Sequence, residues 1–151
     1  MENSTIETFK AVAQGKGWPT KTAITDTEWT ITSDEPVDDG GSNSGPNPMQ
    51  LFIASLTGCQ NEQAQVVAEE LSLNISQIDI NAEIDLDLSG FMGMSDNSNG
   101  SYKEVRLKAV VSGNATDAQI KTLGLKVDER CPILGLLRSS GCKITSSWSK
   151  S

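Results

Sequence analysis

Polar and apolar residues change rhythm several times along this chain, and each change predicts an element. Thr8-Phe-Lys-Ala-Val-Ala-Gln14 and Thr22-Ala-Ile-Thr-Asp-Thr-Glu-Trp-Thr-Ile-Thr32 have the alternation and β-branched content of strands. The Gly15-Lys-Gly-Trp-Pro19 segment between them predicts a turn, hence an opening hairpin. From Ser33 to Pro46 no apolar period survives among Asp, Gly, Ser and Pro, so a surface loop is expected. At Asn47 the rhythm becomes helical: Asn47 suits a cap, Pro48 suits the first turn, and the spacing continues from Met49 to about Leu71. The first half, Met49 to Cys59, carries no charge on any face, whereas the second contains Glu62, Glu69 and Glu70. Only the first half is therefore expected to be buried all round.

Beyond this helix, Ser76 to Leu88 sets Ile78, Ile80, Ala82, Ile84, Leu86 and Leu88 against polar neighbours, and Tyr102 to Val111 follows a similar rule. Both read as strands. Their connection, Gly90 to Gly100, starts with Phe91, Met92 and Met94 before the polar run Ser95 to Asn99, and this apolar start predicts a loop that covers something. Asn114 or Thr116 is placed to cap a helix to about Glu129, with Ile120, Leu123 and Val127 on its inner stripe. A short helix after Cys131-Pro132 and a closing strand over Cys142 to Trp148 complete the order β-β-α-β-β-α-α-β. That order predicts an α+β fold with mainly antiparallel sheet.

The length of 151 residues fits one domain, 1–151, large enough to bury roughly 68% of its unfolded surface without structural metals or disulfides. Twelve basic against twenty acidic residues give a net charge of -8, which repels phosphate backbones and anionic lipid head groups. Neither nucleic acid nor a membrane surface is an expected partner. The first residues lack the basic start and apolar stretch of a signal peptide, so a cytoplasmic location is expected, with the cysteines held as thiols.

There is no histidine, which removes the commonest general base and the nitrogen ligand of most zinc sites. Thiols are then the readily activated nucleophiles. Cys59 lies in the uncharged run Met49-Gln-Leu-Phe-Ile-Ala-Ser-Leu-Thr-Gly-Cys59, where a small buried thiol that eases helix packing is as good a reading as a reactive one. Cys131 precedes Pro132 in Glu129-Arg-Cys-Pro-Ile-Leu-Gly-Leu-Leu137; a thiolate there would face the unpaired N–H groups of a helix start, and a simple cap is the equal alternative. Cys142 sits on a strand pattern beside Lys143 and reads as packing. No metal site or cofactor is expected: ten residues separate Cys131 from Cys142, and no other pair of cysteines is close.

Gly45-Pro-Asn-Pro-Met-Gln-Leu-Phe-Ile-Ala-Ser-Leu-Thr-Gly-Cys59, followed about seventy residues later by Cys131-Pro-Ile-Leu-Gly-Leu-Leu137, resembles the OsmC/Ohr family of thiol redox proteins. The match comprises the Gly-x-Asn-Pro helix start, a cysteine eleven residues beyond that proline, and a second cysteine followed by Pro and an apolar residue. The resemblance implies an intertwined homodimer with sheets wrapped around two long central helices. It implies that Cys59 attacks an organic hydroperoxide, that Cys131 resolves the product as a disulfide, and that a dithiol reductant restores the pair. Met49 and Phe52 would then line an apolar substrate approach.

The chain departs from that pattern at two places. Met49 stands where the family's hydroperoxide reductases usually carry Glu, as in a less characterised redox-protein branch, and no Arg precedes Arg106. A cysteine with a pKa of about 8.5 is only about 3% thiolate at pH 7, so an anchor for the thiolate has to come from elsewhere, with Arg130, Arg138 or an N-terminal lysine as candidates. Two rival readings accompany the peroxidase: a non-catalytic binding protein with an apolar pocket at a dimer interface, and a thiol redox sensor.

Overall fold

The computed structural model describes residues 5–94 and 100–151. The chain divides into two compact units, residues 1–52 and 53–151. In the first, β1 (Ala11–Gln14), β2 (Thr20–Ile24) and β3 (Thr30–Ser33) form an antiparallel sheet in that order. The single strand expected over Thr22 to Thr32 is thus two strands with a turn between them. Asp26 takes a left-handed φ of 64° there, a conformation Asp tolerates better than most residues. The Thr27 hydroxyl fixes the turn, donating to the Ile24 carbonyl at 2.9 Å and accepting from the Trp29 N–H at 3.0 Å.

The surface loop expected over residues 33–46 is present, and it is built around one buried carboxylate. Asp34 accepts the N–H of Glu35 (2.9 Å), the N–H and hydroxyl of Ser42 (3.1 and 2.6 Å) and those of Ser44 (2.9 and 2.8 Å). The Ser42 hydroxyl first, then the Ser44 amide, hold the Asp34 carboxyl well below the usual carboxylate range. Gly41 has to be glycine, because a Cβ would fall on the Glu35 carbonyl. Polar bonding organises this unit: among the described residues up to 52, no hydrophobic side chain is buried.

Helix α1 (Pro48–Glu70) starts where Asn47 and Pro48 predict. The Asn47 carboxamide accepts the Gln50 N–H while the Gln50 carboxamide accepts the Asn47 N–H, both at 2.9 Å, a reciprocal cap. The expectation that its first half is the buried one is reversed within the chain. Leu56, Gln60, Ala64, Val67 and Ala68 are buried, whereas Ala54, Ser55 and Gly58 are exposed. The second half wins because Ala64, Val67 and Ala68 pack with Ile78, Val111, Ile120, Leu123 and Val127 into the core of the second unit.

That unit carries β4 (Ile75–Leu86) antiparallel to β5 (Tyr102–Gly113), with β6 (Lys143–Lys150) parallel to β5. The parallel pair requires a crossover, supplied by α3 (Asp117–Arg130) and α4 (Pro132–Ser139). β4 stops two residues short of the predicted Leu88. Asp87 turns the chain into the short helix α2 (Leu88–Phe91) by accepting the N–H and hydroxyl of Ser89. Phe91, Met92 and Met94 are exposed rather than covering another part of the chain, and Ser95 to Asn99 lie outside the described residues. Thr116 caps α3, and Ile120, Leu123 and Val127 form its buried stripe as predicted. Gly124 completes that face, since the Trp148 indole occupies the place a Cβ would take. Among the described residues no helix is long and apolar enough to cross a membrane.

Candidate functional site

Cys131 stands at a break that Pro132 enforces, because the residue before a proline is driven out of the α region. Helix α3 ends at Arg130 and α4 begins at Pro132, with Cys131 extended between them (φ -66°, ψ 113°). It serves both helices: its N–H donates to the Val127 carbonyl at 3.0 Å, and its carbonyl accepts the Gly135 N–H at 2.9 Å. The Cys131 sulfur caps α4 by accepting the Leu134 N–H at 3.4 Å. Sequence alone offered a reactive thiolate or a simple cap at this helix start; the sulfur does occupy the cap position.

Cys59 projects from α1, half-buried, and its Sγ lies 3.1 Å from that of Cys131, 72 residues away in sequence. Both are free thiols. Burial pushes the Cys59 thiol up to about 11, and the neighbouring Cys131, by hydrogen bond and then by charge, adds to the rise. Glu62 works in the same direction, while a hydrogen bond with the Ile133 backbone opposes it. The groups that favour a thiolate here are therefore main-chain amides in the first turn of α4, which have no intrahelical acceptor.

The two arginines considered for that role are engaged elsewhere. Arg130 pairs with Glu70 at 2.7 Å, and Arg138 donates to the Asp128 carbonyl at 3.2 Å. Cys142 is buried just before β6; its thiol donates to the Lys143 carbonyl at 3.6 Å and burial raises its pKa. The structure thus brings Cys59 and Cys131 together and gives Cys142 other surroundings. Met49 and Phe52 occupy the first turns of α1, in residues assigned to the first unit. One feature carried no sequence signal. Gln60, next to Cys59, is fully buried with both carboxamide atoms unpartnered among the described residues.

An α+β fold that joins two reduced sulfurs at a helix start defines a dithiol protein. The chain belongs to the family of OsmC-like proteins, whose pattern it matches over residues 41–147. Solved structures agree. An organic hydroperoxide resistance protein OsmC of Legionella pneumophila is 22% identical, with a TM-score of 0.73 over 98% of this chain and 99% of that one. An OsmC-like protein of Mycoplasma pneumoniae is 17% identical, with a TM-score of 0.80 over 96% of both chains. An organic hydroperoxide resistance protein of Elizabethkingia anophelis is 22% identical, with a TM-score of 0.73 over 100% and 99%. At these identities the likeness establishes the fold. No curated protein matches the sequence.

Proposed function

We propose that the chain is a thiol-dependent redox protein that reduces organic hydroperoxides through Cys59 and Cys131. The observation that carries this reading is the 3.1 Å separation of two free sulfurs. Similar structures described as organic hydroperoxide resistance proteins support the substrate class. Attack by the Cys59 sulfur on the outer oxygen of ROOH breaks the O–O bond; the alkoxide leaves as ROH after protonation, and Cys59 becomes a sulfenic acid. The Cys131 sulfur then displaces that oxygen as water and forms the disulfide. A dithiol reductant returns both electrons by exchange. Met49 and Phe52 are proposed to furnish the apolar approach that favours alkyl or aryl peroxides.

The active form is proposed to be a homodimer. Ile6, Phe9 and Trp29 are exposed in the first unit, which buries no hydrophobic side chain of its own among the described residues. Such a surface favours a second copy as its cover. Consumption of cumene hydroperoxide with a dithiol present tests the chemistry. Wild type should turn over, Cys59→Ser should not, and Cys131→Ser should stop after a single oxidation. Absence of turnover, together with no trapped sulfenic acid at Cys59, sinks the peroxidase reading and favours a binding protein. A stable folded monomer at micromolar concentration in sedimentation sinks the dimer.

A further inference from the structure

We propose that the reduced Cys59–Cys131 pair is a chelating site for trivalent arsenic compounds that carry one carbon substituent. The proposal uses the same two sulfurs as the redox reading but needs neither peroxide nor turnover.

The sulfur separation selects the ligand. With bonds of about 2.3 Å, as in metal thiolates, a linear two-coordinate ion would hold its sulfurs roughly 4.6 Å apart and a tetrahedral ion roughly 3.8 Å apart. A pyramidal centre with bonds near 90° and the same bond length needs about 3.3 Å. The observed 3.1 Å lies nearest the pyramidal case. Ligand number points the same way: among the described residues no group of three or more His, Cys, Asp or Glu side chains is arranged to hold a metal ion. A tetrahedral zinc ion lacks its remaining protein ligands here. A monosubstituted trivalent arsenical requires only two sulfurs, because its third bond is already made to carbon, and soft thiols suit such a soft centre.

Access and order of bonding follow from burial. Cys59 is half-buried, with Ser55, Gly58 and Glu62 exposed around it on α1. A Cβ built on Gly58 meets nothing within 4 Å, so the helix surface there is open. The first As–S bond forms at Cys59. Buried Cys131 then closes the ring as an intramolecular step, which gives the second bond the advantage of high effective concentration. For an arsenoxide R–As=O, both As–O bonds break and two As–S bonds form. The two thiol protons leave with the oxygen as one water, and no electrons are exchanged.

The test uses the full chain, reduced and freed of reductant, with one equivalent of phenylarsine oxide followed by excess 2-mercaptoethanol. Intact-mass measurement should find one arsenical per chain retained in wild type and in Cys142→Ser, with retention at least tenfold lower in Cys59→Ser and Cys131→Ser. A dithiol such as 2,3-dimercaptopropanol should strip the adduct from all of them. Because Cys131 is buried and its variant is at risk of misfolding, peptide mapping of the wild-type adduct supplies a second readout: one arsenic should link the Cys59 and Cys131 peptides. Loss of the adduct from folded wild type on monothiol challenge overturns the proposal, as does retention in folded Cys59→Ser or a link through Cys142. Adduct formation without peroxide turnover would leave this proposal standing while removing the peroxidase.

Discussion

Cys59 should alkylate slowly at neutral pH and accelerate far into the alkaline range. Its thiol is raised from 9.0 to about 11, chiefly by burial. At pH 7 about one chain in 10,000 then carries the thiolate, against about one in 100 from a starting value of 9.0. The less acidic sulfur is the better nucleophile once ionised. With a Brønsted slope of about 0.4–0.5, two units return roughly six- to tenfold. The net expectation is a rate roughly ten- to fifteenfold below that of the same cysteine in unfolded chain. Timed iodoacetamide labelling, quenched and read peptide by peptide in buffer and in urea, measures this directly. Log rate for Cys59 should rise with unit slope through pH 10. In Cys131→Ala the line should move toward lower pH, but only part of the way, since burial remains the leading cause. A plateau below pH 8.5, or faster labelling in the folded than in the unfolded chain, would show a stabilised thiolate and refute the reasoning.

Other expectations concern the scaffold and its departures from the family pattern. Gly124→Ala places a methyl group on the Trp148 indole; overpacking of about 1–3 kcal/mol should exceed the gain in helix propensity of up to about 1 kcal/mol, lowering the urea midpoint. Asp34→Asn turns an accepting oxygen into a donor facing Ser42 and Ser44, so their amides should exchange faster with deuterium. The carboxyl's folded value lies below its ordinary 3.8. Its contribution is therefore present above that pH and lost as pH falls through the folded value, and the difference between wild type and Asp34→Asn should shrink in acid. Met49→Glu restores the residue usual in the family's hydroperoxide reductases and should raise kcat/KM for cumene hydroperoxide; unchanged or lower turnover in a folded variant would detach Met49 from the reaction.

Local chemistry was the most legible part of the fold. Asn47-Pro48 and Thr116 marked helix starts because capping is decided within four residues, and the period of Ile120, Leu123 and Val127 named the inner face of α3. The turn inside Thr22 to Thr32 escaped because the polar run Thr25 to Glu28 contains no Gly, Pro or Asn to mark it, and the left-handed backbone of Asp26 leaves no trace in the apolar period. Asp34 escaped for a different reason: its partners Ser42 and Ser44 lie eight and ten residues on, and nothing in a run of small polar residues says which carboxylate they surround. The two cysteines were singled out as reactive candidates, yet their meeting rested on the resemblance. No pattern in residues 59 or 131 encodes a contact across 72 positions. The amides that oppose the rise at Cys59 were also hidden, since main-chain donors have no letter in the sequence, although Pro132 advertises where they lie free.

The 72-residue span between the sulfurs has a mechanical consequence. A bond between them would close a covalent ring around β4, α2, β5 and α3, leaving α4 and β6 on one tail and everything before Cys59 on the other. Pulled from its ends, the reduced chain pays out every residue. The oxidised chain withholds the ring, so its contour is shorter by roughly 240–260 Å at about 3.3–3.6 Å per residue. β6 can then be peeled from β5 while the ring's own strands stay tethered. Single-molecule extension would therefore read the redox state of this pair as a length.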